Sequence, residues 1–253
     1  MLSKSIISHI HSLAVRKYRT ESGEFLAEGP KLVGDLAGNL HCSLLVATEE
    51  WMASNPRIKA DRKETVTPQE LKSASLLQNP QQVLALFRIP EDNTDVSIAE
   101  KELCLALDDV QDPGNLGTIV RLADWFGISH IFCSKGTADI YNPKAVQATM
   151  GALARVSLHY IDLQKAVDRL AGRTPVYGTF LNGKNIYTSP LQQKGLIIMG
   201  NEGKGISPAI EQAVTEKLTI PNYPEGRETS ESLNVAIATA IICSEFRKRA
   251  MEL

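Results

Sequence analysis

The stretch "DPGNLGTIVRLADWFG", residues 112–127, sets Asn115 and Arg121 six positions apart, where a turn rich in Pro and Gly becomes an amphipathic helix. Asn115 can cap a helix start, but capping does not account for Arg121. A guanidinium is charged at every accessible pH and presents a planar fork of donors. It suits holding a phosphate or stabilising negative charge on an oxygen, and it cannot serve as a base. Two further loops carry polar groups of the same kind: "MGNEGKGIS", 199–207, with Glu202, and "IPNYPEGRETSESLN", 220–234, with Ser232 and Asn234. Glu202 can fix a guanidinium by a charge-assisted pair, and the hydroxyl and amide can hydrogen-bond a substrate or Asn115.

Other chemistries are poorly served. Cys42, Cys104, Cys133 and Cys243 lie far apart with no CxxC pair, and His9 and His11 would diverge on a helix, so no metal site is expected and the cysteines read as buried thiols. The cluster "GNEGKG" is not GxGxxG and has no acidic residue at the following offset. "GTFLNGKN", 178–185, matches GxxxxGK after a strand and misses a P-loop only at Asn185. A phosphate loop would need a long helix next, whereas "IYTSPLQQK" with Pro190 follows.

The elements that would position these loops can be read from periodicity. A first helix is expected over about residues 4–18, with Ile6, Ile7, Ile10, Leu13 and Ala14 on one face. "CSLLVAT" and "VLALF" read as strands, and between them Thr67, Pro68 and Glu70 form a capping box opening a helix to about 76. The polar segment "IPEDNTDVSIAE", 89–100, suits a linker, which divides the chain into domains 1–98 and 99–253. Beyond it strands alternate with helices opened by Asn142-Pro143, Asp162 and Ser207-Pro208, and a last helix begins near 231. Such alternation predicts an α/β domain with a mostly parallel sheet covered on both faces, preceded by a small α/β domain. The three polar loops then follow strand ends, where open α/β sheets bind ligands.

Composition adds limits. The chain has 253 residues, 43% hydrophobic and 22% charged, with net charge −2. No run approaches the ~18–20 apolar residues of a membrane span, and Ser, His and Lys interrupt the N-terminal apolar pattern, so a cytoplasmic location is expected. Local basic clusters stand at 16–19 ("RKYR"), 57–63 ("RIKADRK") and 246–249 ("FRKR"). Each is ordinarily a solvated face; the first two are the expected phosphate contacts if the chain binds nucleic acid.

Taken in order, "LDDVQDPGNLGTIVRLADWFG", "LIIMGNEGKGIS" and "IPNYPEGRETSESLNVAIATAIICSEFRKR" resemble the three motifs of the SpoU/TrmH class of SPOUT RNA methyltransferases, and "FLAEGPKLV", 25–33, resembles the small substrate-binding domain that often precedes them. The resemblance implies transfer of a methyl group from S-adenosylmethionine to a ribose 2′-hydroxyl of RNA; ribosomal RNA is the expected substrate, and the sequence leaves transfer RNA open. It also implies a trefoil-knotted catalytic domain and a homodimer formed through the knot and last helix. It casts Asn115, Arg121, Glu202, Ser232 and Asn234 as catalytic, and Gly200, Ile220 and Leu233 as cofactor-binding. Plainer readings stand beside these: a Gly at a turn, two core aliphatics, a capping Ser. The alternative functions are a SAM-competent or inactive RNA-binding protein of the same fold acting in ribosome assembly and, from the GxxxxGK match, a P-loop-like NTPase. The loop between Ile220 and Leu233 departs from the family's usual form by its greater length and extra Pro. The last helix, apolar nearly all round from Val235 to Cys243, should be buried on most sides.

Overall fold

The computed structural model describes residues 2–93, 95–224, 227 and 232–251. Two compact units divide the chain, Met1–Glu91 with Asp139–Arg155, and Asp92–Ala138 with Val156–Leu253. The division at 91 falls inside the expected linker but ahead of residue 98. Asp139–Arg155, which strand-helix alternation assigns to the second domain, belongs with the first.

In chain order the elements are α1 (Lys4–Ser12), α2 (Arg16–Ser22), β1 (Glu24–Glu28), α3 (Pro30–Ala37), β2 (Cys42–Ala47), α4 (Glu49–Ser54), β3 (Arg62–Thr65), α5 (Pro68–Ala74) and β4 (Val83–Arg88). There follow β5 (Leu103–Leu107), α6 (Pro113–Trp125), β6 (His130–Ser134), α7 (Pro143–Thr149), β7 (Ser157–Ile161), α8 (Leu163–Leu170), β8 (Val176–Asn185), β9 (Gly195–Met199), α9 (Pro208–Glu211), β10 (Glu216–Thr219) and α10 (Val235–Met251).

The first unit holds a four-stranded sheet in the order β1-β4-β2-β3, parallel only between β2 and β3. Its core gathers Ile10 and Leu13 with Leu26, Val46, Leu84 and Leu86. The α5 capping box forms as expected: Thr67 Oγ1 accepts from Glu70 N–H at 3.3 Å, and Glu70 Oε2 accepts from Thr67 N–H at 2.9 Å. The single helix expected to residue 18 is instead two. Between them the chain turns so that the buried Arg19 guanidinium donates to the Leu13 carbonyl at 2.7 Å and to Asp139 Oδ2 at 2.6 Å. Together with Gln147 Nε2 donating to the Glu28 carbonyl at 2.8 Å, this pair fastens the 139–155 segment to the first unit. One cation of the "RKYR" cluster is therefore a core group rather than a phosphate contact.

The second unit is a six-stranded sheet, β10-β8-β9-β5-β6-β7, with every pairing parallel. The central strands "LCLAL" and "GLIIM" are buried throughout, as strands covered on both faces must be. The GxxxxGK match lies wholly within β8, so it is strand rather than phosphate loop. A Cβ on Gly183 would stand 2.6 Å from the Leu218 backbone carbon, so the glycine serves close approach of β10. Lys184 pairs with Glu216 at 2.7 Å. α10 packs on α6, and Arg247 Nε donates to the Phe126 carbonyl at 2.7 Å, satisfying the C-terminal end of that helix.

Candidate active site

All strands of the second unit point the same way, so the segments after β5, β9 and β10 emerge at one end of the sheet. At the first, Asp112 rather than Asn115 caps α6: its Oδ1 accepts from Asn115 N–H at 2.8 Å, with Pro113 opening the helix. Asn115 thus sits in the first turn with its side chain free of capping. After β9, Asn201 and Gly205 exchange both backbone hydrogen bonds, at 3.0 and 2.8 Å, closing a tight turn that presents Glu202. A Cβ on Gly200 would stand 2.3 Å from the Gly205 carbonyl carbon, so the loop's own return occupies the space a side chain would take. At α10, Asn234 is the cap, its Oδ1 accepting from Ala236 and Ile237 N–H at 3.0 and 3.3 Å. The helix therefore opens at Val235 rather than near 231.

These loops converge. Asn115 Nδ2 donates to Glu202 Oε1. Asn234 Nδ2 lies 3.1 Å from Asn115 Oδ1 and 3.4 Å from Glu202 Oε1. One carboxylate therefore draws in two amides from different elements, an arrangement that fixes all three. Arg121 stands apart from this cluster. It is exposed on α6 and, among the described residues, makes no hydrogen bond or ion pair, so its expected pairing with Glu202 is replaced by the Asn115 and Asn234 contacts. Ser232 is likewise exposed and without a hydrogen bond among the described residues. Residues 225, 226 and 228–231 of the loop between Ile220 and Leu233 lie outside the described residues.

Gly200 and Ile220 are half-buried just past β9 and β10, and Leu233 is 47% exposed. Among the described residues, the backbone N–H and C=O groups of all three engage no partner. An adenine edge offers both donors and acceptors, so unpartnered backbone groups beside aliphatic walls fit a nucleoside cofactor. The cysteines take no part. All four are buried, and burial pushes the thiols of Cys104 and Cys243 up to about 12 and that of Cys42 to about 11. Motif reading passed over Asn201, which joins the β9 loop to β5 through Nδ2 and the Asp109 carbonyl, 2.7 Å apart. Its only signal in the sequence was its place beside Glu202 in a glycine-rich turn.

Comparison with known proteins agrees with this geometry. The profile of the SpoU rRNA Methylase family matches residues 102–244, and that of the MRM3-like substrate binding domain matches residues 4–85. The 23S rRNA (guanosine(2553)-2′-O)-methyltransferase RlmP of Bacillus subtilis (strain 168) is 32% identical over 93% of each chain. A TrmH-family structure from Porphyromonas gingivalis is 42% identical with TM-score 0.86, covering 98% of this chain and 99% of that one. An AdoMet-bound rRNA methyltransferase from Sinorhizobium meliloti is 28% identical with TM-score 0.84, covering 98% and 96%. The chain belongs to the SpoU rRNA methylase family, a class of S-adenosylmethionine-dependent RNA methyltransferases.

Proposed function

We propose that this protein methylates a ribose 2′-hydroxyl of ribosomal RNA. The observation that carries the reading is the junction of Asn115, Glu202 and Asn234 at the end of a parallel sheet, where three separate segments meet. S-adenosylmethionine, when bound, supplies an electrophilic methyl group on a sulfonium. The backbone groups at Gly200, Ile220 and Leu233 would hold its adenosine. No titrating base is required of the protein beyond loss of the hydroxyl proton to solvent as oxygen attacks. Arg121, exposed on α6 and without a hydrogen bond or ion pair among the described residues, would bind the adjacent phosphate and stabilise negative charge growing on the 2′-oxygen. Asn115, held by Glu202 and Asn234, bounds the acceptor site, with Ser232 as a further donor to the RNA.

The first unit, matched by a substrate-binding profile, would contribute phosphate contacts through its exposed Arg57, Lys59 and Lys63. Homodimerisation through α10 is supported by an apolar stripe left open there, with Ile237 55% exposed, and by Trp125 at the end of the neighbouring α6, 83% exposed. A cytoplasmic site of action accords with a ribosomal substrate; no described helix is long and apolar enough to cross a membrane. Mapping ribose methylation in ribosomal RNA from cells with and without the protein tests the activity: one or more positions should lose their methyl group in its absence. Unchanged maps, with RNA binding retained by the purified protein, would favour the inactive RNA-binding alternative.

A further inference from the structure

Both ends of the half-buried Asn201 amide are engaged. Nδ2 donates to the Asp109 carbonyl at 2.7 Å, while Oδ1 accepts from Gly203 N–H at 2.9 Å and Lys204 N–H at 3.0 Å. Asp109 itself sits at φ 61°, in the left-handed region that a side chain rarely adopts. Its N–H donates to Ser134 Oγ at 2.9 Å; that oxygen lies 3.3 Å from Thr137 Oγ1, which donates to the Leu107 carbonyl at 3.0 Å. A continuous set of bonds therefore ties together the ends of three adjacent strands, β9, β5 and β6. The residue that closes it is the immediate neighbour of Glu202.

We propose that Asn201 is the positioning residue of this site: its amide pins the β9 loop to the end of β5 and so sets where the Glu202 carboxylate meets Asn115 and Asn234. The neutral amide supplies a donor to the Asp109 carbonyl and an acceptor to two loop amides at once, from opposite ends of one planar group. The kinetic part of this inference rests on the methyl-transfer reading above; the loop geometry does not.

Asn201→Asp separates the two halves of the amide's role. It keeps the acceptor for Gly203 and Lys204 but replaces the donor by an oxygen facing the Asp109 carbonyl oxygen. The charged groups around it are Asp108, whose Oδ2 accepts from Ser207 N–H at 2.7 Å, Asp109, whose Oδ2 accepts from Gln111 Nε2 at 3.2 Å, Glu202, and the exposed Lys204. The three carboxylates oppose ionisation of the introduced carboxyl and the retained Gly203 and Lys204 N–H groups favour it, so at pH 8 it is ionised and repels the Asp109 carbonyl oxygen.

The test uses the full-length protein, unmodified 23S ribosomal RNA transcribed in vitro, and hydrogen exchange of the 200–206 segment. For both Asn201→Ala and Asn201→Asp, the single-turnover methylation rate at pH 8 should fall by about 10- to 100-fold, the scale of a misplacement near 1 Å. S-adenosylmethionine affinity by calorimetry should stay within about 3-fold, since Gly200 contributes backbone only. In exchange, Gly203 and Lys204 amides should lose protection in Asn201→Ala and keep it in Asn201→Asp. Rates within 2-fold of wild type for both variants would overturn the proposal. A wild-type protein that fails to methylate the RNA would count against the methyl-transfer reading instead. The exchange pattern would then decide the role of Asn201, with unchanged protection in Asn201→Ala overturning it.

Discussion

Arg121 and Gly200 illustrate how much a single residue can be asked to do. Glu202 is occupied by Asn115 and Asn234, and Arg121 is held by no carboxylate among the described residues, which on the proposed function leaves its guanidinium to the RNA. Arg121→Ala should lower the single-turnover methylation rate by ~10²-fold or more, the scale of removing one preorganised donor. Arg121→Lys, which keeps the charge without the planar fork, should retain part of the rate. Calorimetric binding of S-adenosylmethionine should be nearly unchanged in both. Gly200→Ala is expected to behave differently. Its Cβ would stand 2.3 Å from Gly205, against backbone that cannot swing aside, so the whole Asn201–Gly205 turn must move. Cofactor affinity and rate should fall together, and calorimetry paired with rate measurement distinguishes this from the Arg121 variants.

Among elements, two polar links have consequences for stability. The Arg19–Asp139 pair holds α2 to the segment carrying α7, with the Arg19 side chain only 3% exposed. Removing one partner of a buried pair leaves the other uncompensated, so Asp139→Ala should destabilise the protein by about 3–5 kcal/mol in urea unfolding. The second link joins β6, β7 and the linker: Asp92 Oδ1 meets His159 Nδ1 at 2.8 Å, and His159 Nε2 meets His130 Nδ1 at 3.0 Å, with Glu102 3.6 Å from His130 Nε2. Burial, reinforced by His159, holds His130 below the usual imidazole range. The unfolded chain therefore binds the proton more readily than the native one. Stability should be fully present above pH ~6.5 and decline as pH falls from there through the folded pKa. Melting temperatures at pH 7.5 and 5.5 should differ in that direction, and His130→Gln should reduce the difference.

For the whole molecule, a net charge of −2 leaves RNA attraction to local fields. Of the three basic clusters, "RKYR" has Arg19 buried and "FRKR" has Arg247 engaged with α6, while Arg57, Lys59 and Lys63 face solvent. Binding of ribosomal RNA should accordingly depend on salt through the 57–63 region. Lys59→Ala and Lys63→Ala should each reduce the slope of log K against log salt by about 1 if each neutralises one phosphate. Filter binding from 50 to 200 mM salt measures it, with cofactor affinity unchanged as the control.

The sequence by itself determined the parallel sheet of the second unit, because buried runs such as "GLIIM" alternating with capped helices leave few other ways to cover both faces. It also determined the loops that carry Asn115, Glu202 and Asn234, since Pro, Gly and polar residues after strands act locally. Tertiary structure alone decided who pairs with whom. Asn115 and Glu202 are 87 positions apart, and Arg19 and Asp139 are 120 apart, so no local pattern records either contact. The same holds for the GxxxxGK match, which becomes β8 by pairing with β9 and β10, whereas the Asp112 cap of α6 and the Asn234 cap of α10 are local bonds between residues two or three apart. The long-range contacts escape a reading of the sequence because hydrogen-bond and packing energies depend on distance in space rather than along the chain.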